Sequence, residues 1–376
     1  VTVVGAGTAT ITATQAASAD GNYEGGSSVS ASLVVSPIAP TIGALSVPAK
    51  NFGDASFNLT APTTDSSGAF TYTSSNPAVA TVALVDGVGV VTVVGAGTTT
   101  ITATQAASAD GNYTGGSSVT ASLVVSPIAP TIGAFSVPSK NFRDASFNLT
   151  APSSNSAGAF TYTSSNSAVA SVTMDGIVTI VSAGTTMITA TQAAIVNGNY
   201  LTGSVTTSLV VSAIAPTIGS LSVPAKNFGD ASFNLTVPTS DSSGAFTYTS
   251  SNTAVATVTT SGTVTVVSAG STTITATQAA SADGNYTGGS TVSASLVVSP
   301  IAPSIGALSV PAKNFRDASF NLTAPTSDSS GAFTYTSSNT AVATVTSDGT
   351  VTVVGAGTAT ITATQAASAD GNYEGG

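Results

Sequence analysis

Cysteine and histidine are both absent from the sequence. Their absence excludes disulfide frameworks, thiol nucleophiles, and zinc, haem or iron–sulfur sites built from these side chains. The many serine and threonine hydroxyls have no histidine to activate them as nucleophiles. Tryptophan, a stacking platform for sugars, is missing too. We interpret the isolated Asp54, Asp65, Asp86 and Asp110 as turn-forming residues rather than a catalytic pair. The sequence therefore predicts a protein that is not an enzyme and that uses no cofactor.

Charged residues are scarce, at 6% of the chain against about 25% in an ordinary globular domain. The formal net charge is −10, from six Lys and Arg against sixteen Asp and Glu. So few cations cannot neutralise a phosphate backbone or hold an anionic bilayer, so nucleic acids and membrane surfaces are not expected partners. No run of 18 apolar residues occurs, and we expect no membrane insertion in this segment.

Internal repetition is what the sequence has in abundance. The motif Val-Thr-x-Val begins at Val1, Val91, Val178, Val264 and Val351, with offsets of 90, 87, 86 and 87 residues. A second motif, Lys-Asn-Phe, begins at Lys50, Lys140, Lys226 and Lys313. A period of this size is too long for the short helical or leucine-rich repeats and suits one small β-sandwich per repeat.

Within one repeat the apolar residues alternate with a period of two, which indicates β-strands. The predicted strands are Ser56–Thr60, Phe70–Thr73, Ala78–Val82, Val91–Val94, Thr98–Thr104 and Val119–Val125. Turn residues such as Gly, Pro, Asn and Asp occupy the gaps between them. We expect the core to contain Phe57, Phe70, Tyr72, Ile101 and Leu123, with Phe52 and Tyr113 as plugs near the ends.

Several segments carry a resemblance to a known family. They are Ser74–Val82, Gly87, Val91–Thr98 and Ile101–Ala103, and the same pattern stands at 164–190, 250–276 and 337–363. The pattern resembles the bacterial Ig-like group 2 family, the stalk repeats of invasin- and intimin-type adhesins and of other surface proteins. The resemblance implies an Ig-like fold and a spacer or adhesive module on a surface, with no catalytic residues to transfer.

These observations predict an all-β chain of tandem Ig-like β-sandwich domains arranged as an elongated rod. The connector Ser126–Ile132 contains Pro127 and Pro130, which favour a stiff, extended joint. We predict a leading segment holding the C-terminal strands of a partial domain, three complete domains, and a last domain without its final strand. The predicted bounds are 1–36, 37–126, 127–212, 213–299 and 300–376.

Calcium is the one metal that the sequence leaves open. Oxygen ligands lie close together in the Asp-Gly-Asn loops, where the weak candidates are Asp20, Asn22, Glu24, Asp110 and Asn112. The spacing is not that of an EF-hand, and another copy reads Asn197-Gly198-Asn199, without the carboxylate. The alternative interpretation is a tight turn.

Each complete repeat also has one Lys before Asn, and a Lys50–Asn isopeptide cross-link is the alternative to an ordinary solvated lysine.

Three functions remain in view: a structural stalk of an extracellular or cell-surface fibre or adhesin, a laterally packed or strand-linked filament or sheath subunit, and a multivalent array of weak glycan- or protein-binding sites. The loops carry Ser, Gly, Ala and Asp rather than aromatic or charged residues, which favours the stalk. The expected partners are neighbouring Ig-like repeats of the same or identical chains, and a host or environmental surface reached through an unseen tip.

Residues 351–376 repeat residues 1–26 letter for letter. We therefore expect a longer periodic polypeptide. The alternative is that the segment Val29–Val35 of one chain supplies the missing strand of the next.

Overall fold

The computed structural model describes residues 1–196 and 198–376. Every regular element in these ranges is a β-strand, as the alternating pattern predicts. A membrane-crossing helix is likewise not found in the described chain. The fold is all-β, with tandem Ig-like units.

The leading segment, residues 1–36, is a two-stranded hairpin. Strand β1 (Gly7–Thr14) pairs with β2 (Ser28–Val35) in antiparallel register, with Gly7 opposite Val35.

The first proposed repeat, residues 37–126, shows the arrangement that the next two share. It contains β3 (Lys50–Asn51), β4 (Phe57–Asn58), β5 (Phe70–Ser74), β6 (Ala80–Val85), β7 (Val88–Val93), β8 (Gly97–Gln105) and β9 (Ser118–Ser126). One sheet has the order β3-β9-β8-β5 and the other has the order β4-β7-β6. Neighbours are antiparallel except for β3 and β9, which run parallel.

The second repeat, residues 127–212, and the third, residues 213–299, have the same topology. The second contains β10 (Lys140–Asn141), β11 (Phe147–Asn148), β12 (Phe160–Ser164), β13 (Ala170–Val172), β14 (Ile177–Ile180), β15 (Gly184–Gln192) and β16 (Gly203–Ser212). The third contains β17 (Lys226–Asn227), β18 (Phe233–Asn234), β19 (Phe246–Ser250), β20 (Ala256–Val258), β21 (Thr263–Val266), β22 (Gly270–Gln278) and β23 (Ser290–Ser299).

The last repeat, residues 300–376, has two smaller sheets. Strands β24 (Phe320–Asn321), β27 (Thr350–Val353) and β26 (Ala343–Val345) form one, and β25 (Phe333–Ser337) and β28 (Ile361–Gln365) form the other. A groove of about 480 Å³ lies beside β28, lined in part by Phe315, Phe320 and Ile361.

Alternation along the longest strands positions the core. In β8, Thr99, Ile101, Ala103 and Gln105 are buried while Thr98 and Thr100 are exposed. Burial of this face against residues of the second sheet, such as Val91, supplies the main stabilisation of a sandwich. The predicted strand Thr98–Thr104 is confirmed.

The core of the first repeat is more aliphatic than the sequence suggests, whereas the tyrosines equivalent to Tyr72 are buried in the other repeats, at Tyr162, Tyr248 and Tyr335. Ile101 and Leu123 are fully buried, as predicted. Phe57, Phe70 and Tyr72 pack against the core but stay partly exposed, because they lie at its margins. Each buried cluster and each sheet draws its residues from within one of the proposed repeats, and the domain bounds themselves remain a prediction.

Strand β3 was not expected, since Lys50–Asn51 has no alternation and precedes a turn. It pairs Lys50 with Val125 and Asn51 with Ser126. The ammonium of Lys50 lies 4.7 Å from the centre of the Phe57 ring, a cation–π contact that is repeated by Lys140, Lys226 and Lys313.

Candidate functional site

The connector between repeats is bound to the repeat that follows it. After Pro127, the backbone of Ile128 donates a hydrogen bond to Asn199 O at 3.2 Å and accepts one from Leu201 N at 2.9 Å. Ile132 forms a further bridge to Ser154. The same bridges occur at Ile38, Ile214 and Ile301. The connector is thus part of the next sandwich rather than a free linker.

A compact loop faces the preceding repeat at each joint. In the third repeat, the backbone N of Asn285 donates to Asp283 Oδ1 at 3.0 Å, and Asn285 Nδ2 donates to Asp283 Oδ2 at 2.9 Å. The Ser281 hydroxyl donates to Asp283 and accepts from Tyr286 N at 3.0 Å. These bonds hold the Asn285 side chain in one orientation.

That asparagine reaches across the joint. Its side-chain oxygen accepts a hydrogen bond from Ala183 N, in the turn of the preceding repeat, at 2.7 Å. The equivalent pairs are Ala6 N with Asn112 at 2.5 Å, Ala96 N with Asn199 at 2.6 Å, and Ala269 N with Asn372 at 2.7 Å. Each loop therefore satisfies a backbone donor that belongs to its neighbour.

Two aromatic rings meet beside this hydrogen bond. Phe142 and Tyr286 have ring centroids 5.6 Å apart and planes at 80°. The pairs Phe52–Tyr200 and Phe228–Tyr373 have the same edge-to-face geometry, at 5.4 and 5.6 Å. This arrangement matches the quadrupoles of the two rings. Phe52 is thus a contact between repeats as well as a plug for its own core.

One joint also carries an ion pair. Arg143 of the second repeat lies 2.7 Å from Asp241 Oδ2 of the third. Asp241 Oδ1 accepts from Thr217 N at 2.8 Å. This backbone hydrogen bond and the Arg143 guanidinium lower the pKa of Asp241. The guanidinium lies 5.2 Å from the Tyr286 ring centre, which connects the ion pair to the aromatic pair.

The structure brings most of the calcium candidates together in these loops. Asp20 with Asn22, and Asp110 with Asn112, form the same hydrogen-bonded turns as Asp283 with Asn285. Glu24 takes no part in these bonds. The Ser108 hydroxyl and the Asn112 backbone lower the pKa of Asp110, and Ser18 and Asn22 act in the same way on Asp20.

Within residues 1–196 and 198–376, no group of three or more His, Cys, Asp or Glu side chains could hold a metal ion. Asn197, named above for its missing carboxylate, lies outside the described residues. The calcium site remains a prediction.

Sequence reasoning missed the joint. The signal was present: an Asp-Gly or Asn-Gly pair followed directly by Asn-Tyr recurs once per repeat, with Asn-Tyr at 22–23, 112–113, 199–200, 285–286 and 372–373. Its partner, the Lys-Asn-Phe motif, belongs to the preceding repeat. The joints between the repeats share a hydrogen bond and an aromatic pair, to which Arg143 and Asp241 add an ion pair at one joint.

Two-sheet repeats joined in this way define a tandem array of Ig-like domains. Residues 147–202, 229–287 and 317–373 match the family model of the bacterial Ig-like domain (group 2). Residues 60–107 match that of the intimin immunoglobulin-like domain. These matches confirm the resemblance to bacterial Ig-like domains that was drawn from the sequence. Domains of this kind are typically structural or adhesion modules without enzymatic activity.

None of the curated proteins compared matches the chain. Solved structures similar to it include extracellular cadherin domains 3–6 of protocadherin gamma B2, with 14% identity, coverage of 87% of this chain and 95% of that one, and a TM-score of 0.31. Drosophila N-cadherin domains 1–4 have 13% identity, with coverage of 80% of this chain and 89% of that one, and a TM-score of 0.26. The S-layer protein rSbsC has 17% identity, with coverage of 87% of this chain and 52% of that one, and a TM-score of 0.22.

Proposed function

We propose that this chain is a spacer section of an extracellular surface protein, in which tandem Ig-like repeats hold a functional tip away from its anchor. The observation that carries the proposal is the repeated joint. The same asparagine, aromatic pair and connector bonds stand at successive boundaries, so each repeat meets its neighbour through the same contacts. Their repetition supports a similar placement of each repeat against the next, as in an extended stalk.

The family match supports the location. Intimin-type and group 2 bacterial Ig-like domains are surface-protein modules, and the low charge and absence of cysteine agree with such a role. The partners that we propose are the neighbouring repeats and, through a tip outside this segment, a host or environmental surface.

One observation favours a second function, lateral packing into a sheath. The outer face of the larger sheet carries rows of hydroxyls, such as Thr98, Thr100 and Thr102, instead of the charges that usually protect exposed strands. Half-exposed valines, among them Val124, Val210 and Val297, lie at one end of each row. Such a face suits contact with another copy of the chain.

Labelling of intact and permeabilised cells of the source organism tests the location. Antibodies against the repeats should label intact cells, and external protease should remove the label. Labelling that requires permeabilisation would contradict the proposal.

The shape is tested on the purified chain. Small-angle X-ray scattering should give an extended particle whose maximum dimension shrinks in the triple variant Asn199→Ala, Asn285→Ala, Asn372→Ala. Exposed Thr100→Ala is the matched control and should leave the dimension unchanged. Side-by-side association of extended particles at high concentration would favour the sheath over an isolated stalk, whereas an unchanged dimension in the triple variant would contradict the role of the joint.

A further inference from the structure

The joints are not all alike, and the difference lies at one position. The residue after Lys-Asn-Phe is Gly53 in the first repeat, Arg143 in the second, Gly229 in the third and Arg316 in the last. All four have a positive φ, of 86°, 69°, 87° and 74° in that order. This left-handed conformation suits glycine and costs conformational free energy for arginine. A residue that is strained at a repeated position indicates a compensating contact.

Arg143 shows what that contact is. Its guanidinium lies 5.7 Å from the ring centre of Phe142 in its own repeat, 5.2 Å from that of Tyr286 in the next, and 2.7 Å from Asp241. Arg316 has the same backbone conformation and lies 5.5 Å from the Phe315 ring centre. The backbone at this position therefore aims an arginine along its own phenylalanine toward the following repeat.

The residue opposite varies as well. The position of Asp241 is occupied by Asn155 in the second repeat and by Asp328 in the last. In each case Oδ1 accepts a backbone hydrogen bond, from Thr217, Thr131 or Ser304 at 2.8 Å. An aspartate then still offers Oδ2 to an arginine. Where Asp241 has Oδ2, Asn155 has an amide nitrogen that only donates, and its side chain carries no negative charge to pair with an arginine.

We propose that this position sets the stiffness of each joint: arginine locks the joint to a following repeat that carries aspartate, and glycine leaves it unlocked. The second and third repeats are thus locked. Among the described residues, the joints between the first and second repeats and between the third and last share the asparagine bond and the aromatic pair but have no ion pair. The array alternates between stiff and compliant joints. This inference concerns the joints alone and holds whether the array serves as a stalk or a sheath.

The ion pair is suited to orientation rather than stability. The Arg143 and Asp241 side chains are 53% and 27% exposed, and pairs of this kind add little to folding. What the contact adds is a third point of attachment beside the hydrogen bond and the rings. This third contact restrains rotation between the two repeats more than the hydrogen bond and the aromatic pair do by themselves.

The absence of cysteine makes the test direct, because two introduced cysteines provide the only spin labels. Equivalent exposed serines lie at Ser122, Ser208 and Ser295, on β9, β16 and β23. Electron–electron double resonance between Ser208→Cys and Ser295→Cys should give a narrow distance distribution. Arg143→Gly or Asp241→Asn should broaden it, and so should about 1 M salt, where the screening length is about 3 Å.

A gain of function makes the test decisive. Gly229→Arg faces Asp328 and should narrow the distribution between labels at Ser295 and Thr362. The double variant Gly229→Arg, Asp328→Asn has the same backbone strain but lacks the aspartate oxygen that accepts from the arginine, so the distance distribution should not narrow. Gly53→Arg faces Asn155. It should narrow the distance distribution across the first joint, between labels at Ser122 and Ser208, only when Asn155→Asp is added. Distance distributions of equal width in all of these variants would overturn the proposal. So would a narrowing that occurs whether or not the carboxylate is present.

Discussion

Asn285 is a side chain on which two repeats depend. It is buried, it is oriented by Asp283, and its oxygen is the acceptor for Ala183 N of the preceding repeat. Truncation removes a bond that crosses the joint and leaves a part-buried backbone donor without its partner.

We predict that Asn285→Ala speeds amide hydrogen exchange at Ala183 by about 5- to 30-fold, which corresponds to a loss of about 1–2 kcal/mol. Exchange is measured on the whole chain. The amide of Val264, in the third repeat's own core, serves as the control and should keep its protection. Equal acceleration at both amides would mean that the repeat itself had been destabilised.

The loop aspartates make the joint sensitive to acid. Hydrogen bonds from Ser281 and from the Asn285 backbone lower the pKa of Asp283 below its ordinary value of 3.8. Since the folded state favours the carboxylate, the stabilisation is present above the ordinary pKa and is lost as the pH falls through the lowered one.

We therefore predict that the joint loosens below about pH 4 and is unaffected between about pH 5 and 8. The titration of the Asp283 carboxyl carbon, followed by NMR, checks this. In Ser281→Ala, where the first of these bonds is gone, the pKa of Asp283 should rise toward its ordinary value. An unchanged titration in that variant would contradict the assigned cause.

At the scale of the element, a buried glutamine ends the long strand of every repeat. In the third repeat Gln278 Oε1 accepts from the Ser240 hydroxyl at 2.8 Å, and Nε2 donates to Ser242 O at 3.1 Å and Gly244 O at 2.8 Å. Gln105, Gln192 and Gln365 make the equivalent bonds. The glutamine thus attaches the loop before β19 to the end of β22.

We predict that Gln278→Leu destabilises the third repeat by about 2–3 kcal/mol, because it leaves a hydroxyl and two carbonyls in a part-buried site without their hydrogen-bond partner. The change in the free energy of unfolding is measured in urea, with hydrogen exchange of the β22 amides as the probe of unfolding. Thr273→Ala, exposed on the opposite face of the same strand, should stay within about 0.5 kcal/mol of the wild type.

The long strands could be predicted from the sequence because their signal is local. Thr99, Ile101 and Ala103 alternate with hydroxyl residues, and both the strand and its buried face follow from that alternation. Strand β3 has two residues and gains its order from Val125 and Ser126, far along the chain. The joint is still less local, since Ala183 and Asn285 are 102 residues apart and Asn285 carries an ordinary turn motif. Such partners require the fold to be known first.

At the scale of the whole molecule, similarity between neighbours has a cost during folding. Strands β9, β16 and β23 all end in Ser-Leu-Val-Val-Ser, so one repeat can accept its neighbour's strand. Misassembly of this kind is characteristic of tandem domains that resemble one another.

We predict that the full chain refolds from denaturant with a lower yield than the third repeat alone, residues 213–299. The yield is the fraction of monomer recovered by size-exclusion chromatography at equal repeat concentration. Equal yields would mean that the joints form too late to trap exchanged strands.

The parallel pairing of β3 with β9 has a mechanical consequence. A repeat in a loaded fibre is pulled at its two ends, and β3 leads toward one end while β9 leads to the other. Because the strands are parallel, tension slides them in opposite directions, so that the bridges Lys50–Val125 and Asn51–Ser126 and the bond from Phe52 N to Ser126 O resist together. An antiparallel hairpin pulled at its open end would instead peel one bond at a time.

Two residues of each repeat therefore set the tension at which it first yields. Single-molecule pulling on this chain should show three high force peaks, from the repeats in which Lys-Asn is paired in this way. The short strand β3, which the sequence does not predict, is thus the element that resists shear when a repeat is under tension.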